Sequence, residues 1–150
     1  MRASTSQIAT AELNLFGKKI SHKEQKIPGP GGVLILSTSR STSEIASAMS
    51  VSKPGIYFIH GGGIILANRS LGMNIVADWI EECDAVCVSV EYGLAPESLH
   101  PVPVEDCYAG MKWVGESLAE LQIDLGRGFF MALICWSHKL LFHDSPAKHV

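Results

Sequence analysis

Between Lys53 and Leu121 the apolar positions switch between two periods. Gly55-Ile-Tyr-Phe-Ile59 is an apolar run bounded by Pro54 and by a glycine cluster. Ala85-Val-Cys-Val-Ser-Val90 is a second such run. Short continuous apolar runs between turn signals predict strands buried on both faces. Between the two, Leu71, Ile75, Val76, Trp79 and Ile80 recur at helical spacing, so Leu71–Cys83 is predicted to be a helix. Val104–Leu121 is predicted helical on the same grounds, with Tyr108, Met111, Trp113, Val114, Leu118 and Leu121 on one broad apolar face. Glu91–Pro103 holds Pro96, Pro101 and Pro103 and is expected to be an irregular connection. Gly128–Trp136 is a third strand-like run. Strand–helix–strand–helix–strand implies an α/β fold, a mostly parallel sheet flanked by helices in three layers. The first crossover is expected to be right-handed.

The N-terminal third reads differently. Residues 1–32 are polar and weakly periodic, and Lys26-Ile-Pro-Gly-Pro-Gly-Gly32 is a turn cluster. Val33–Leu36 reads as a short strand. Ser37–Ser52 is rich in Ser and Thr and is expected to be a loop, or to carry one or two helical turns at Ser43–Met49 capped by Ser43. No segment repeats.

Composition narrows the class. A chain of 150 residues is one domain's worth and can bury a core. Charged residues make up 18%, against a usual ~25%, and hydrophobic residues 47%, which excludes an intrinsically disordered chain. A net charge of −3 and a pI of about 6.0 exclude nucleic acid or an anionic membrane as partners held by bulk electrostatics. Met1–Thr10 lacks the apolar core of a signal peptide. The longest apolar run, Phe129–Trp136, is far short of the ~18 residues of a membrane span. A cytoplasmic protein is expected. Cys83, Cys87, Cys107 and Cys135 show no C-x-x-C spacing and no neighbouring ligands for zinc, so they are expected to be buried free thiols rather than a metal site.

The chemistry-bearing feature is His60-Gly61-Gly62-Gly63, at the C-terminal end of a predicted parallel strand. Ligands of open parallel sheets gather at such ends. Consecutive glycines let the chain turn sharply and aim its N–H groups at a small anion, including an oxyanion formed during acyl transfer. A ligand-free strand-to-helix turn is the competing reading. A phosphate loop is disfavoured, since neither G-x-x-x-x-G-K-[ST] nor G-x-G-x-x-G occurs.

A second block follows at Val88-Ser-Val-Glu-Tyr-Gly-Leu-Ala-Pro-Glu97, then Pro101-Val-Pro-Val-Glu-Asp-Cys-Tyr-Ala-Gly-Met-Lys-Trp-Val114. Together with His60–Gly63 it resembles the hormone-sensitive-lipase-like esterases of the α/β-hydrolase superfamily, which include the arylacetamide deacetylases. In that family a strand ends in His-Gly-Gly-Gly, a helix and strand follow, then a Tyr-Arg-Leu-Ala-Pro-Glu loop and a helix opening with Glu-Asp. Residues 54–124 keep this order and spacing. The resemblance implies an oxyanion hole from the N–H groups of Gly62 and Gly63, with Gly61 as a third candidate. It makes His60, Glu97 and Asp106 supporting motif residues, His60 bracing the turn rather than acting as a base. Read without the resemblance, Glu105 and Asp106 are acids suited to a helix start.

Several positions depart from the family. Gly93 stands where the family has Arg, and Ser98 and Leu99 where it has His-Pro. Losing that Arg removes a rigid five-donor fork. The family continues into Gly-x-Ser-x-Gly, whose Ser is the nucleophile on a strained elbow. Asp124 and Arg127 keep the spacing, but the nucleophile position is Ile134, flanked by Ala132 and Trp136, and Gly-x-Ser-x-Gly occurs nowhere in the sequence. The triad's Asp and His are expected beyond position 150. The resemblance thus implies an incomplete α/β-hydrolase fold. Residues 1–53 are an N-terminal extension with first short strands, 54–127 the N-terminal part of the hydrolase domain, and 128–150 an aberrant tail of frameshift, intron or alternative-exon origin.

In the tail, Ser137-His138 and His143-Asp144 are adjacent pairs, which point to opposite faces of a strand and cannot easily bond to each other. They and His149 are read as incidental. The expectation is an N-terminal fragment of a carboxylic-ester hydrolase with no catalytic residue of its own. The alternatives are a non-catalytic binding or regulatory module and an enzyme that uses the tail. No cofactor is implied, because a triad uses only side chains and water. The implied ligand is a small-molecule ester. An open apolar sheet edge predicts self-association or chaperone binding.

Overall fold

The computed structural model describes Leu15 and residues 17–42 and 52–132. In chain order the elements are β1 (Ile20–Gly29), β2 (Gly32–Ser41), β3 (Lys53–Ile59), α1 (Met73–Glu82), β4 (Val86–Glu91), α2 (Val102–Glu116), the single turn α3 (Leu118–Leu121) and β5 (Ile123–Ala132). The strands form one sheet in the order β1-β2-β4-β3-β5. β3 pairs parallel with β4 on one side and β5 on the other, while β2 pairs antiparallel with β1 and with β4.

The sheet is therefore mixed. The expected parallel pairing holds over residues 53–132, where helices provide the crossovers. It gives way to antiparallel pairing at the N-terminal edge because Pro30 and Gly31 alone join β1 to β2. A two-residue connection can only return a strand antiparallel. Gly29 faces Gly32 across the turn, and Gly32 adopts φ 119, which favours glycine.

Alternation along β3 and β4 separates two cores. Ile56, Phe58 and Cys87 pack with Met73, Val76 and Ile80 of α1. Tyr57, Val88 and Val90 join Leu34, Leu36 and Leu121 on the other face, against Cys107, Met111 and Trp113 of α2. The helices thus cover opposite faces, giving three layers. Each large apolar side chain fully removed from water contributes roughly 1.5–3 kcal/mol. Short central strands such as β3 and β4, buried on both faces, therefore outweigh longer, polar edge strands in fixing the fold.

Several sequence expectations shift. β1 lies within the stretch read as weakly periodic. The short strand at Val33–Leu36 extends to Ser41, so the Ser/Thr-rich stretch begins as strand. The first helix starts at Met73, after Gly72 at φ 85, and its buried stripe is Met73, Val76, Ala77 and Ile80. Leu71, Ile75 and Trp79, assigned to the core face, are exposed. Tyr108 is 62% exposed, because α2 turns Pro103, Asp106 and Gly110 inward instead. Gln122, at φ 56, ends α3, and β5 starts at Ile123 rather than Gly128. Ser43–Met49, and the part of the third run beyond Ala132, lie outside the described residues. Among the described residues β5 is an edge strand, and no helix is long and apolar enough to cross a membrane.

At Gly110, α2 comes close against Tyr57 and Leu36 of the sheet. A Cβ there would lie 2.4 Å from Tyr57 Oη, which donates a 2.7 Å hydrogen bond to the Cys107 carbonyl. Gly→Ala within a helix ordinarily gains about 1 kcal/mol. Here overpacking costs about 1–3 kcal/mol and the lost hydrogen bond about 1 kcal/mol. Gly110→Ala is expected to lower the melting temperature by a few degrees, at roughly 2–4 °C per kcal/mol. A raised melting temperature would refute this packing.

Candidate functional site

The register Ile59↔Val90 ends β3 one residue before β4, which runs on to Glu91. His60 follows one strand and Tyr92 the other. Their rings stack with centroids 4.2 Å apart and an interplanar angle of 11°. Tyr92 Oη donates to the His60 carbonyl at 2.8 Å. Burial pushes the Tyr92 phenol up, so it stays protonated and keeps that role.

His60 is fully buried. Its Nδ1 lies 2.8 Å from the Gly61 carbonyl, which can only accept, so Nδ1 carries the hydrogen. Burial lowers the imidazole's proton affinity; the Gly61 carbonyl and Glu91 oppose this without reversing it. His60 is accordingly neutral, with Nε2 buried and without a hydrogen-bond partner among the described residues. The ring is packed into the sheet's end.

After His60 the backbone enters the left-handed region three times in succession, at Gly62 (φ 118), Gly63 (φ 64) and Ile64 (φ 64). A Cβ on Gly62 would sit 2.1 Å from the Leu66 carbonyl oxygen, so only glycine fits. The Gly62 carbonyl accepts from the N–H groups of Ile65 and Leu66 at 3.2 and 3.1 Å. Ala95 N–H donates to the Ile64 carbonyl at 2.8 Å, tying the turn to the loop after β4. Ile64 is β-branched, and its conformation costs about 1–3 kcal/mol. Its side chain packs against the α2-side core, which offsets part of that. Among the described residues no backbone hydrogen bond takes the N–H of Gly62 or Gly63. Both are half-buried, whereas Gly61 is buried. Two unclaimed N–H groups on a rigid turn can bind a small anion.

Asp106 is 5% exposed. Its Oδ2 accepts from Gly93 N–H at 3.0 Å and its Oδ1 from Gly31 N–H at 3.4 Å. It thus joins the loop after β4 to the β1–β2 turn, a role its place at a helix start did not reveal; Glu105 is the exposed acid of that first turn. A Cβ on Gly93 would lie 2.3 Å from Ser98 Oγ. Ser98 thus occupies the space beside Gly93 where a side chain would start, and a backbone N–H serves Asp106. Glu97 lies exposed in the same loop. Ile134, Ser137, His138, His143, Asp144 and His149 lie outside the described residues.

Sequence reasoning missed Arg69. Its Nε donates to Ser37 Oγ at 2.6 Å, its Nη1 to Glu91 Oε2 at 2.8 Å, and its Nη2 to Glu24. Its backbone N–H also donates to Glu91 Oε2, at 3.1 Å, and its carbonyl accepts from Ser89 Oγ at 2.6 Å. Burial works against the charge, but Glu91 and Glu24 outweigh it and hold the guanidinium's proton more tightly than usual. An isolated Arg in a polar loop carries no motif; its partners are visible only once the strands are paired.

Cys87 is buried and Cys107 half-buried, and burial pushes both thiols up to about 12. Cys83 is exposed at the end of α1, contrary to the expected burial. His22 is half-buried, with Nδ1 3.2 Å from Ser39 Oγ, and burial lowers its proton affinity as it does that of His60. With folded values below the ordinary 6.5, both imidazoles bind fewer protons folded than unfolded as pH falls past that point. Their contribution to stability is intact above pH 6.5 and is lost below it. The melting temperature is expected to be lower at about pH 5.5 than at about pH 7.5. An unchanged or higher value at the acid pH would contradict the neutral, buried state of His60.

A family model described as the alpha/beta hydrolase fold matches residues 56–131, half of the chain. Over 74 residues the chain is 35% identical to esterase LipI of Mycobacterium tuberculosis, a match covering 49% of this chain and 23% of that protein. Over 77 residues it is 36% identical to the arylacetamide deacetylase of Bos taurus, covering 49% of this chain and 19% of that one. Among solved structures it is similar to the hyperthermophilic esterase of the archaeon Pyrobaculum calidifontis. That likeness has a TM-score of 0.72 at 26% identity, over 87% of this chain and 40% of the other. The chain thus aligns with less than half the length of each of these relatives. The family match takes in both the glycine turn and the loop from Tyr92 to Asp106, and this chain belongs to the α/β hydrolase fold family.

Proposed function

We propose that this chain carries the oxyanion-binding part of a carboxylic-ester hydrolase site and does not itself turn esters over. The observation that carries the first half is the pair of unclaimed N–H groups at Gly62 and Gly63, held at the C-terminal end of β3. Donors fixed in advance stabilise the charge that develops on a carbonyl oxygen under attack, each worth about 10²–10³ in rate. The relatives' names, an esterase and a deacetylase of arylacetamides, point to an acyl compound with such a carbonyl as the ligand.

The second half rests on Ile134, a hydrocarbon at the position where the resemblance places the nucleophile, and on the absence of Gly-x-Ser-x-Gly from the sequence. A side chain without a hydroxyl or thiol cannot form an acyl intermediate. The same pairing of kept donors with a lost nucleophile supports a second reading, a module that binds a carbonyl or carboxylate ligand without chemistry.

Removing the nucleophile of a serine triad costs ~10⁶ in kcat. From a typical ~10 s⁻¹, about 10⁻⁵ s⁻¹ would remain. The 150-residue chain is therefore expected to show no measurable turnover of short-chain aryl esters and no labelling by a serine-reactive phosphonate. Stoichiometric labelling at any serine, Ser137 included, would overturn the inactive reading.

A further inference from the structure

Consecutive residues at the end of β4 grip the glycine turn at both of its ends. Tyr92 holds the entrance through the His60 ring and carbonyl. Glu91 holds the exit through the backbone N–H and guanidinium of Arg69. Tyr92 belongs to the α2-side core with Val88 and Val90. By alternation Glu91 and Ser89 face the α1 side, so the turn is straddled across the sheet.

The exit anchor is built from three strands. Glu24 of β1 pairs in register with Ser37 of β2, which pairs in turn with Ser89 of β4. These side chains form a polar row across the sheet, and each of them bonds to Arg69. Between the two anchors the chain holds Gly62, Gly63, Ile64 and Ala67 at positive φ. Such conformations persist only where the surroundings over-determine them.

We propose that Arg69 is a positioning residue. Its guanidinium fork sets the seat of the turn's exit on the polar row and thereby the aim of the Gly62 and Gly63 N–H groups. This rests on the reading of that turn as an anion site. Charge alone does not suffice, because Nε, Nη1 and Nη2 reach three different partners at once. A lysine ammonium is a single point and cannot span them.

The test is the amide spectrum of the ¹⁵N-labelled full chain and of Arg69→Lys. The expected result is displacement of the Gly62 and Gly63 cross-peaks while those of Val88 and Val90 stay in place. A folded Arg69→Lys protein whose two glycine cross-peaks coincide with the parent's would overturn the proposal. Should Arg69→Lys not fold, Glu91→Gln is read the same way. Loss of fold in both would also overturn it, by making the pair a requirement of the fold rather than of the turn's aim. Adding butyrate to the parent tests the underlying reading separately. If the Gly62 and Gly63 cross-peaks do not move with butyrate, the turn is not an anion site, whatever Arg69→Lys shows.

Discussion

The stack of Tyr92 on His60 is the interaction from which the candidate site is built. It exists because β3 and β4 are parallel neighbours that end within one residue of each other, which brings the residues leaving them together. A slip by one residue would turn each strand's inward set outward and would part the two rings. The two cores that hold the register are therefore as much a part of the site as the turn itself. Phe58, between β4 and α1, and Val88, between β3 and α2, are both fully buried.

What the sequence made legible follows from this hierarchy. β3, β4 and the helix between them announce themselves because they are buried on both faces or along one stripe. β1 and the second half of β2 do not, because most of their residues are polar even where they are buried. Ser37, Thr38 and Ser39 are at most 5% exposed. Hydropathy counts them as loop, yet Ser37 sits in the row that seats Arg69, and Ser39 faces His22. The hydroxyls of Ser37 and Ser39 find partners remote in sequence, whereas Thr38 Oγ1 is buried without one among the described residues.

Asp106 and Gly93 show the same limit from the other side. An acid at the first turn of a helix already has a sufficient local reason, the helix dipole. Nothing in the sequence says that this one is buried or that it serves the amides of Gly93 and Gly31. The missing arginine looked like a loss when read along the chain. In the structure Ser98 packs against Gly93, and the main-chain N–H of Gly93 donates to the carboxylate. At this position the loop is held to Asp106 through backbone, and the carboxylate is not left unsatisfied.

The turn and the nucleophile depend on different kinds of information. A nucleophile is one side chain, and one substitution removes it. The donors at Gly62 and Gly63 are backbone, so their aim depends on conformation. That conformation is held by Tyr92 at the entrance, by Ala95 N–H at Ile64, and by Arg69 with Glu24, Ser37 and Glu91 at the exit. All of these anchors lie between residues 24 and 95. The described anchors of the turn proposed to bind an anion are therefore separate in sequence from position 134. Preorganised backbone donors of this kind are therefore independent of the side chain that a nucleophile requires.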